Sequence, residues 1–311
     1  YRRWKQDLGP FSIVSCDNLP SNGKVLRGLL IEFAKLRDAE LADWIEDRVT
    51  CPSSMVDRIV PATTQEDRQN VQKQLGLEDQ GVVVTEGFSQ WVLEDNFCAG
   101  RPAWEEVGVT MVDDVTPFEH MKLRMLNGTH STLAYLGFIA GHEFVADAAN
   151  DSDFQQLLIG MWQDEIIPTL SMPVGIDLES YAHDLMARYQ NPELHHRLYQ
   201  IAMDGSQKLP QRLLGTLRDH LAANRLPKRV LLAIAGWMRY VTGIQENGNG
   251  FEVQDPLTPQ LQQLAQESGF LNGQLNSKKT SEYVHQLLQI EEIFGSDLAN
   301  HTIFSQQITS V

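Results

Sequence analysis

A chain of 311 residues, 42% hydrophobic and 21% charged, has the composition of an ordinary globular protein. It is long enough for two cores, since single cores rarely grow past about 250–300 residues. Its 41 acidic residues outnumber 25 basic ones for a formal charge of −16, which argues against nucleic acid or an anionic membrane as partner because both need clustered cations.

Cys16, Cys51 and Cys98 are odd in number and form no CxxC pair. Neither a disulfide framework nor a zinc site is indicated, and a reducing cytoplasm is expected. No run of about 18 apolar residues occurs, and the opening YRRWKQDLGP has neither Met nor the apolar region of a signal peptide.

Residues 11–16 (FSIVSC) are a short apolar run of β type, expected as a strand. Residues 17–23 supply a turn, Asn22-Gly23 being a strong breaker, and Val25, Leu26, Leu29, Leu30, Phe33, Leu36, Leu41 and Trp44 then recur at helical spacing. Strand, turn and long helix make half of a βαβ unit. Asn18 stands at the carboxyl end of that strand, where open α/β sheets bind ligands, or it is ordinary turn chemistry. Asp57, in SSMVDRI, reads either as orienting a catalytic group or as pairing with Arg58 or capping a turn. Residues 65–75 read as a polar helix, and 82–85, 89–93 and 107–112 as strands separated by Gly87, Gly100 and Pro102. Trp91 and Trp104 read as packing residues.

At 116–141 (TPFEHMKLRMLNGTHSTLAYLGFIAG), Thr116 suits an N-cap and Pro117 the first helical position. Glu119 would complete a capping box, and Gly141 closes the helix. Taking about 100° per residue with Lys122 at zero, Leu133 falls near 20°, Leu126 near 40°, Glu119 near 60°, His130 near 80° and Asn127 near 140°. One arc thus mixes an amine, an imidazole, an amide and a carboxylate with leucines. Each such group buried without a partner costs about 1–3 kcal/mol. A ligand in a pocket would supply partners; a half-exposed helix would place Lys122 and His130 in water. Along the axis these two are about 12 Å apart, a gap a substrate several carbons long can bridge.

Beyond this helix strand signals nearly vanish. Residues 154–167, 178–189, 192–203, 210–224, 230–242 and 259–268 carry helical periodicity punctuated by prolines, so the expected boundary lies near Asp113, with domains at 1–113 and 114–311. Asp204-Gly205-Ser206 reads as a turn, with Lys208 and Arg212 as charges ending a helix. His195, His196 and His142-Glu143 show no HExxH and no i, i+4 pair with a third ligand nearby, and read as structural.

The run K-L-R-M-L-N-G-T-H-S at 122–131 resembles the signature of the polyol-specific long-chain dehydrogenases, the mannitol dehydrogenase family: Lys, four residues, Asn, two residues, His. Lys122, Asn127 and His130 match it. Cys16-Asp17-Asn18 with Asn22-Gly23, the stretch 53–59, Gly100-Arg-Pro-Ala-Trp104-Glu105 and the stretch 201–212 (IAMDGSQKLPQR) resemble further family segments.

The resemblance implies an α/β part over 1–113, the C-terminal portion of a Rossmann-like NAD-binding domain. A mostly α-helical substrate-binding and catalytic domain over 114–311 follows, similar to the C-terminal domain of 6-phosphogluconate dehydrogenase. It implies metal-free, NAD- or NADP-dependent hydride transfer at a secondary alcohol. Lys122 would be the base, which requires its pKa to fall well below about 10.4. Asn18, beside the cofactor, and Asn127 would donate to the developing alkoxide, a role worth about 3–4 kcal/mol per donor. His130 would hold an adjacent hydroxyl and Lys208 the hydroxyl or acid end, with Gln200 and Asp57 also at the substrate. Glu119 would relay protons, or only cap its helix.

Gln200 stands where mannitol enzymes carry Arg, and residues 236–240 (GWMRY) follow the mannonate branch. The expected reaction therefore interconverts D-mannonate and D-fructuronate, with mannitol 2-dehydrogenase or a related polyol dehydrogenase as the alternative. The expected partner is a small sugar acid or polyol, and the expected state a monomer or weak homo-oligomer. No GxGxxG opens a helix after a strand. The resemblance begins partway through the family's N-terminal half, so a preceding segment with that motif is expected. A chain truly starting at Tyr1 would instead be a non-catalytic binding module.

Overall fold

The computed structural model describes residues 1–269 and 277–310. They form two compact units, residues 1–60 with 85–120 and residues 61–84 with 121–311.

The first unit holds a three-stranded sheet in the order β1 (Ser54–Asp57), β2 (Gln90–Glu94), β3 (Thr110–Val112). β1 runs antiparallel to β2, with Met55 opposite Val92, and β2 runs parallel to β3, with Leu93 opposite Met111. Val92 and Leu93 are fully buried, so both faces of β2 are covered at its centre. The long helix expected after residue 23 is two helices, Asn22–Lys35 and Ala39–Arg48. Asp38 ends the periodicity by accepting the Glu40 N–H at 3.0 Å, which starts a new helix in the manner of an N-cap. Ile31, Ala34, Leu41, Ala42 and Ile45 join the two.

Three strand expectations are corrected. Residues 11–16 form no strand; a backbone bond from Ile13 N–H to the Thr50 carbonyl at 3.0 Å and a side-chain bond between Ser12 Oγ and the Thr50 hydroxyl at 2.8 Å stand in place of a ladder. Residues 82–85 form none either, and the Val82 carbonyl accepts the Thr63 hydroxyl at 2.9 Å. The strand expected at 107–112 is shortened to β3 by the 3-10 turn Trp104–Val107. Apolar β-type composition cannot make a strand where no neighbouring backbone is in register to pair with it.

The second unit is helical. Helices run Gln65–Leu75, Val145–Asn150, Ser152–Gly160, Leu178–Tyr189, Leu198–Ala202, Gly205–Leu209, Gly215–Ala222, Lys228–Tyr240, Thr258–Glu267, Ser277–Leu288, Glu291–Ala299 and Thr302–Ser310. The helix expected over 192–203 is broken at His195, whose φ of 44 lies in the left-handed region. Among the described residues four stretches are wound as π-helix: Lys122–Gly128, Leu133–Gly137, Met161–Ile166 and Pro210–Leu214. Trp162, Tyr189, Leu213, Leu217, Ile234 and Trp237, all nearly inaccessible, fill the core around them. No helix among the described residues is long and apolar enough to cross a membrane.

Candidate active site

In the first unit, Asn22 organises the loop that carries Asn18. Its side-chain NH2 donates to the carbonyls of Asp17 at 2.9 Å, Ser15 at 3.2 Å and Ser54 at 3.0 Å, while its oxygen accepts the Ser54 N–H at 2.9 Å. Gly23 is glycine for a close approach: a Cβ there would stand 2.3 Å from the Cys51 carbonyl oxygen. Asn22-Gly23 therefore opens a helix and clasps β1, where a turn was expected. Asn18 itself is exposed, and Asp57 is buried at the end of β1.

The cap of the next helix is also corrected. Asp114 accepts the Thr116 N–H at 3.0 Å, and hydrogen bonding by the Thr116 side chain first and its N–H second holds the Asp114 carboxyl below its ordinary pKa. Glu119 does not close a capping box on Thr116; it is buried and accepts the Ser21 N–H at 2.9 Å. Burial raises its pKa, against the lowering effect of that hydrogen bond.

In the second unit the π-helical stretch Lys122–Gly128 changes the geometry expected from 100° per residue. In a π-helix residues i and i+5 stand in the relation that i and i+4 have in an α-helix. Lys122 and Asn127, five apart, thereby come onto one face, and His130 follows in the α-helical turn Thr129–Thr132. All three are buried, with exposures of 7%, 6% and 6%.

Widening the turn disturbs the ordinary i→i+4 bonds, and distant side chains serve the affected carbonyls. Trp162 Nε1 donates to the Met125 carbonyl at 2.9 Å, and the Tyr189 hydroxyl donates to the Leu126 carbonyl at 2.7 Å. The Thr129 hydroxyl meets that of Tyr189 at 2.9 Å.

His130 stacks on Tyr189, with ring centroids 5.2 Å apart, and meets His196 edge-on at 5.0 Å. Nε2 of His130 and Nδ1 of His196 are buried without a hydrogen-bond partner, a condition that a ligand hydroxyl would relieve. Burial drives the His130 pKa well below its ordinary value, helped by His196, Arg212, Arg188 and Lys208. Burial also lowers His196 to about 4, with Lys208 adding to the effect. Lys208 falls to about 8, through burial first and the Arg212 guanidinium second, and its Nζ donates to the Ile201 carbonyl at 3.3 Å. Burial therefore keeps the His130 and His196 rings neutral, while Lys208, lowered only to about 8, stays largely protonated at neutral pH.

The structure thus collects Lys122, Asn127, His130 and Lys208 in the second unit, while Gln200 lies half-buried on the helix Leu198–Ala202. Sequence reasoning missed His196 and Tyr189 as neighbours of His130 and Arg212 as the partner of Ser131; the one available signal was the pair of cations Lys208 and Arg212 four residues apart. A separate cavity of about 480 Å³, lined by Thr64, Asn70, Phe144, His195 and Arg197 among others, includes none of Lys122, Asn127, His130 or Lys208. Among the described residues no group of three His, Cys, Asp or Glu is disposed to hold a metal ion.

Residues 114–311 match the family profile described as "Mannitol dehydrogenase C-terminal domain", and residues 1–106 match "Mannitol dehydrogenase Rossmann domain". The chain belongs to the mannitol dehydrogenase family.

Family relatives include the uncharacterized oxidoreductase YdfI of Escherichia coli (strain K12), 47% identical over 308 residues that make up 99% of this chain and 61% of that protein. D-mannonate oxidoreductase of the same strain is 45% identical over 309 residues, with the same two coverages of 99% and 61%. A solved member, Pseudomonas fluorescens mannitol 2-dehydrogenase in a ternary complex with NAD and D-mannitol, superposes with a TM-score of 0.84 at 38% identity, covering 99% of this chain and 60% of that one. The chain spans about three fifths of the length of these relatives.

Within the family framework the α/β part belongs to the Rossmann domain and the helical part to the C-terminal domain. No GxGxxG occurs in the sequence, and the space beside Gly23 is filled by the chain's own Cys51–Ser53 backbone.

Proposed function

We propose that this protein is an NAD-dependent oxidoreductase interconverting a secondary alcohol of a sugar acid or polyol with its ketone, and that D-mannonate and D-fructuronate are the pair. On this reading residues 1–113 belong to the nucleotide-binding domain and 114–311 form the substrate-binding and catalytic domain.

The observation that carries it is the π-helical turn that aligns buried Lys122 and Asn127 and leads into His130. Oxidation removes a hydride and a proton from one alcohol, and this chain's residues account for the proton. Lys122 Nζ takes it from the hydroxyl as general base. Asn127 Nδ2 donates to the oxygen as negative charge develops. Neutral His130 fills its unpartnered Nε2 with an adjacent hydroxyl, and Lys208 holds the far hydroxyl or carboxylate. In its own unit Asn18 sits on a loop anchored by Asn22, and Asn18→Ala is expected to lower turnover.

The relation to D-mannonate oxidoreductase and the glutamine at position 200 support the sugar-acid reading. The fold shared with the mannitol 2-dehydrogenase complex supports mannitol and fructose equally.

The test is Lys122→Ala in the full-length protein, assayed by NADH oxidation with D-fructuronate and with D-fructose. Loss of a positioned general base is expected to cost at least about 100-fold in kcat on the accepted ketone. Activity within about tenfold of wild type would remove Lys122 as the base.

A further inference from the structure

Ser131 follows His130 in the chain, and its hydroxyl accepts a hydrogen bond from Arg212 Nη1 at 3.0 Å. Gly128 precedes His130 by two residues, and a Cβ built there would stand 2.8 Å from the Arg212 carbonyl oxygen and 3.6 Å from a Leu213 methyl carbon. The guanidinium and the backbone of one residue therefore grip the helix on both sides of His130. Arg212 lies in the π-helical stretch Pro210–Leu214, which directly continues the helix Gly205–Leu209 bearing Lys208.

A second cation set beside Lys208 in a half-buried setting is unfavourable, and apolar side chains could pack these helices without that penalty. Burial lowers the Arg212 pKa, with only the tyrosines 135 and 189 acting in the opposite direction. Arg212 is also among the charges that disfavour protonation of His130, together with His196, Arg188 and Lys208. Its cost in stability is intelligible if the reaction needs what it holds.

We infer that Arg212 is a positioning residue of the proposed reaction, fixing the turn that carries Asn127 and His130 against the helix that carries Lys208. This rests on the functional reading above. The contact is twofold, and each half can be removed separately: Ser131→Ala deletes the acceptor, and Gly128→Ala pushes the Arg212 carbonyl away.

The experiment uses the full-length protein with Arg212→Met, Arg212→Lys, Ser131→Ala, the Arg212→Met/Ser131→Ala double variant and Gly128→Ala. It reads steady-state ketone reduction, NADH binding by fluorescence, and amide hydrogen exchange of peptides covering residues 122–132. Arg212→Met is expected to lower kcat by at least about 30-fold with KM and the NADH Kd within about threefold, since a misplaced reacting group loses rate more than binding. Arg212→Lys, which keeps a donor and the charge, is expected to regain at least about fivefold of that loss. Ser131→Ala is expected to lose about fivefold alone and almost nothing further in the double variant, because the two side chains act as one contact. Exchange of 122–132 is expected to rise at least about tenfold in Arg212→Met.

An Arg212→Met kcat within about twofold of wild type, a loss confined to KM, or losses that multiply in the double variant would overturn the inference. If Arg212→Met fails to fold, Ser131→Ala and Gly128→Ala decide: unchanged kcat in both overturns it, and a kcat-specific loss in both supports it. If wild type reduces no ketone in the panel, the functional reading fails, and exchange still judges Arg212: protection of 122–132 unchanged by Arg212→Met or Ser131→Ala refutes the grip itself.

Discussion

At the residue scale the site is marked by two imidazoles, His130 and His196, that burial keeps from protonating. His196 has a folded-state pKa of about 4 against an ordinary 6.5. Between those values the unfolded chain binds a proton that the folded one does not, so stability falls as pH drops from 6.5 toward 4. The loss from this one ring reaches about 3 kcal/mol. His196→Gln is expected to flatten that slope, and urea midpoints of wild type and variant at pH 7 and pH 4.5 measure it. An equal acid-induced drop in both proteins would mean that His196 is not held neutral. Lys122, Asn127 and His130 were legible in the sequence because a fixed short spacing carries their resemblance. His196 and Arg212 were not, since their relation to His130 spans 66 and 82 positions, counted from the sequence numbers.

At the scale of single elements, the π-helical turn is the feature on which the site's geometry rests. Counting at 100° per residue separates Lys122 from Asn127 by about 140°, whereas i→i+5 winding makes them neighbours. Tyr189→Phe removes one donor to the Leu126 carbonyl, which keeps the Thr129 N–H, and is expected to cost about 0.5–1.5 kcal/mol of stability, the net worth of one hydrogen bond. Denaturant unfolding checks it, and a loss below about 0.5 kcal/mol would mean that the turn satisfies itself. Elements with strong local signals followed the sequence closely. The polar helix Gln65–Leu75 is capped by Thr64 and Asp67 in a reciprocal box and ended by Gly76 at a φ of 70. The strand runs at 11–16 and 82–85 failed because strand formation is decided by a pairing partner, which composition does not reveal.

For the molecule as a whole, the net charge of −16 and the helical second unit agree with a small-molecule enzyme without choosing its substrate. That choice is expected to lie with side chains such as Gln200. Gln200→Arg in the full-length protein is expected to shift the ratio of kcat/KM for D-fructose over D-fructuronate by about tenfold, the scale of one polar contact of about 1.4 kcal/mol. A substrate panel on both proteins measures it, and an unchanged ratio would place discrimination elsewhere.

The sequence by itself determined the family, because Lys, Asn and His at fixed short spacings are properties of contiguous residues. It also determined most helices, whose apolar period and caps are local. Only the tertiary structure decided that Lys122 and Asn127 share a face. The wider winding that aligns them has its carbonyls served by Thr129 nearby and also by Trp162 and Tyr189, 37 and 63 residues away, and no local pattern encodes contacts over that distance.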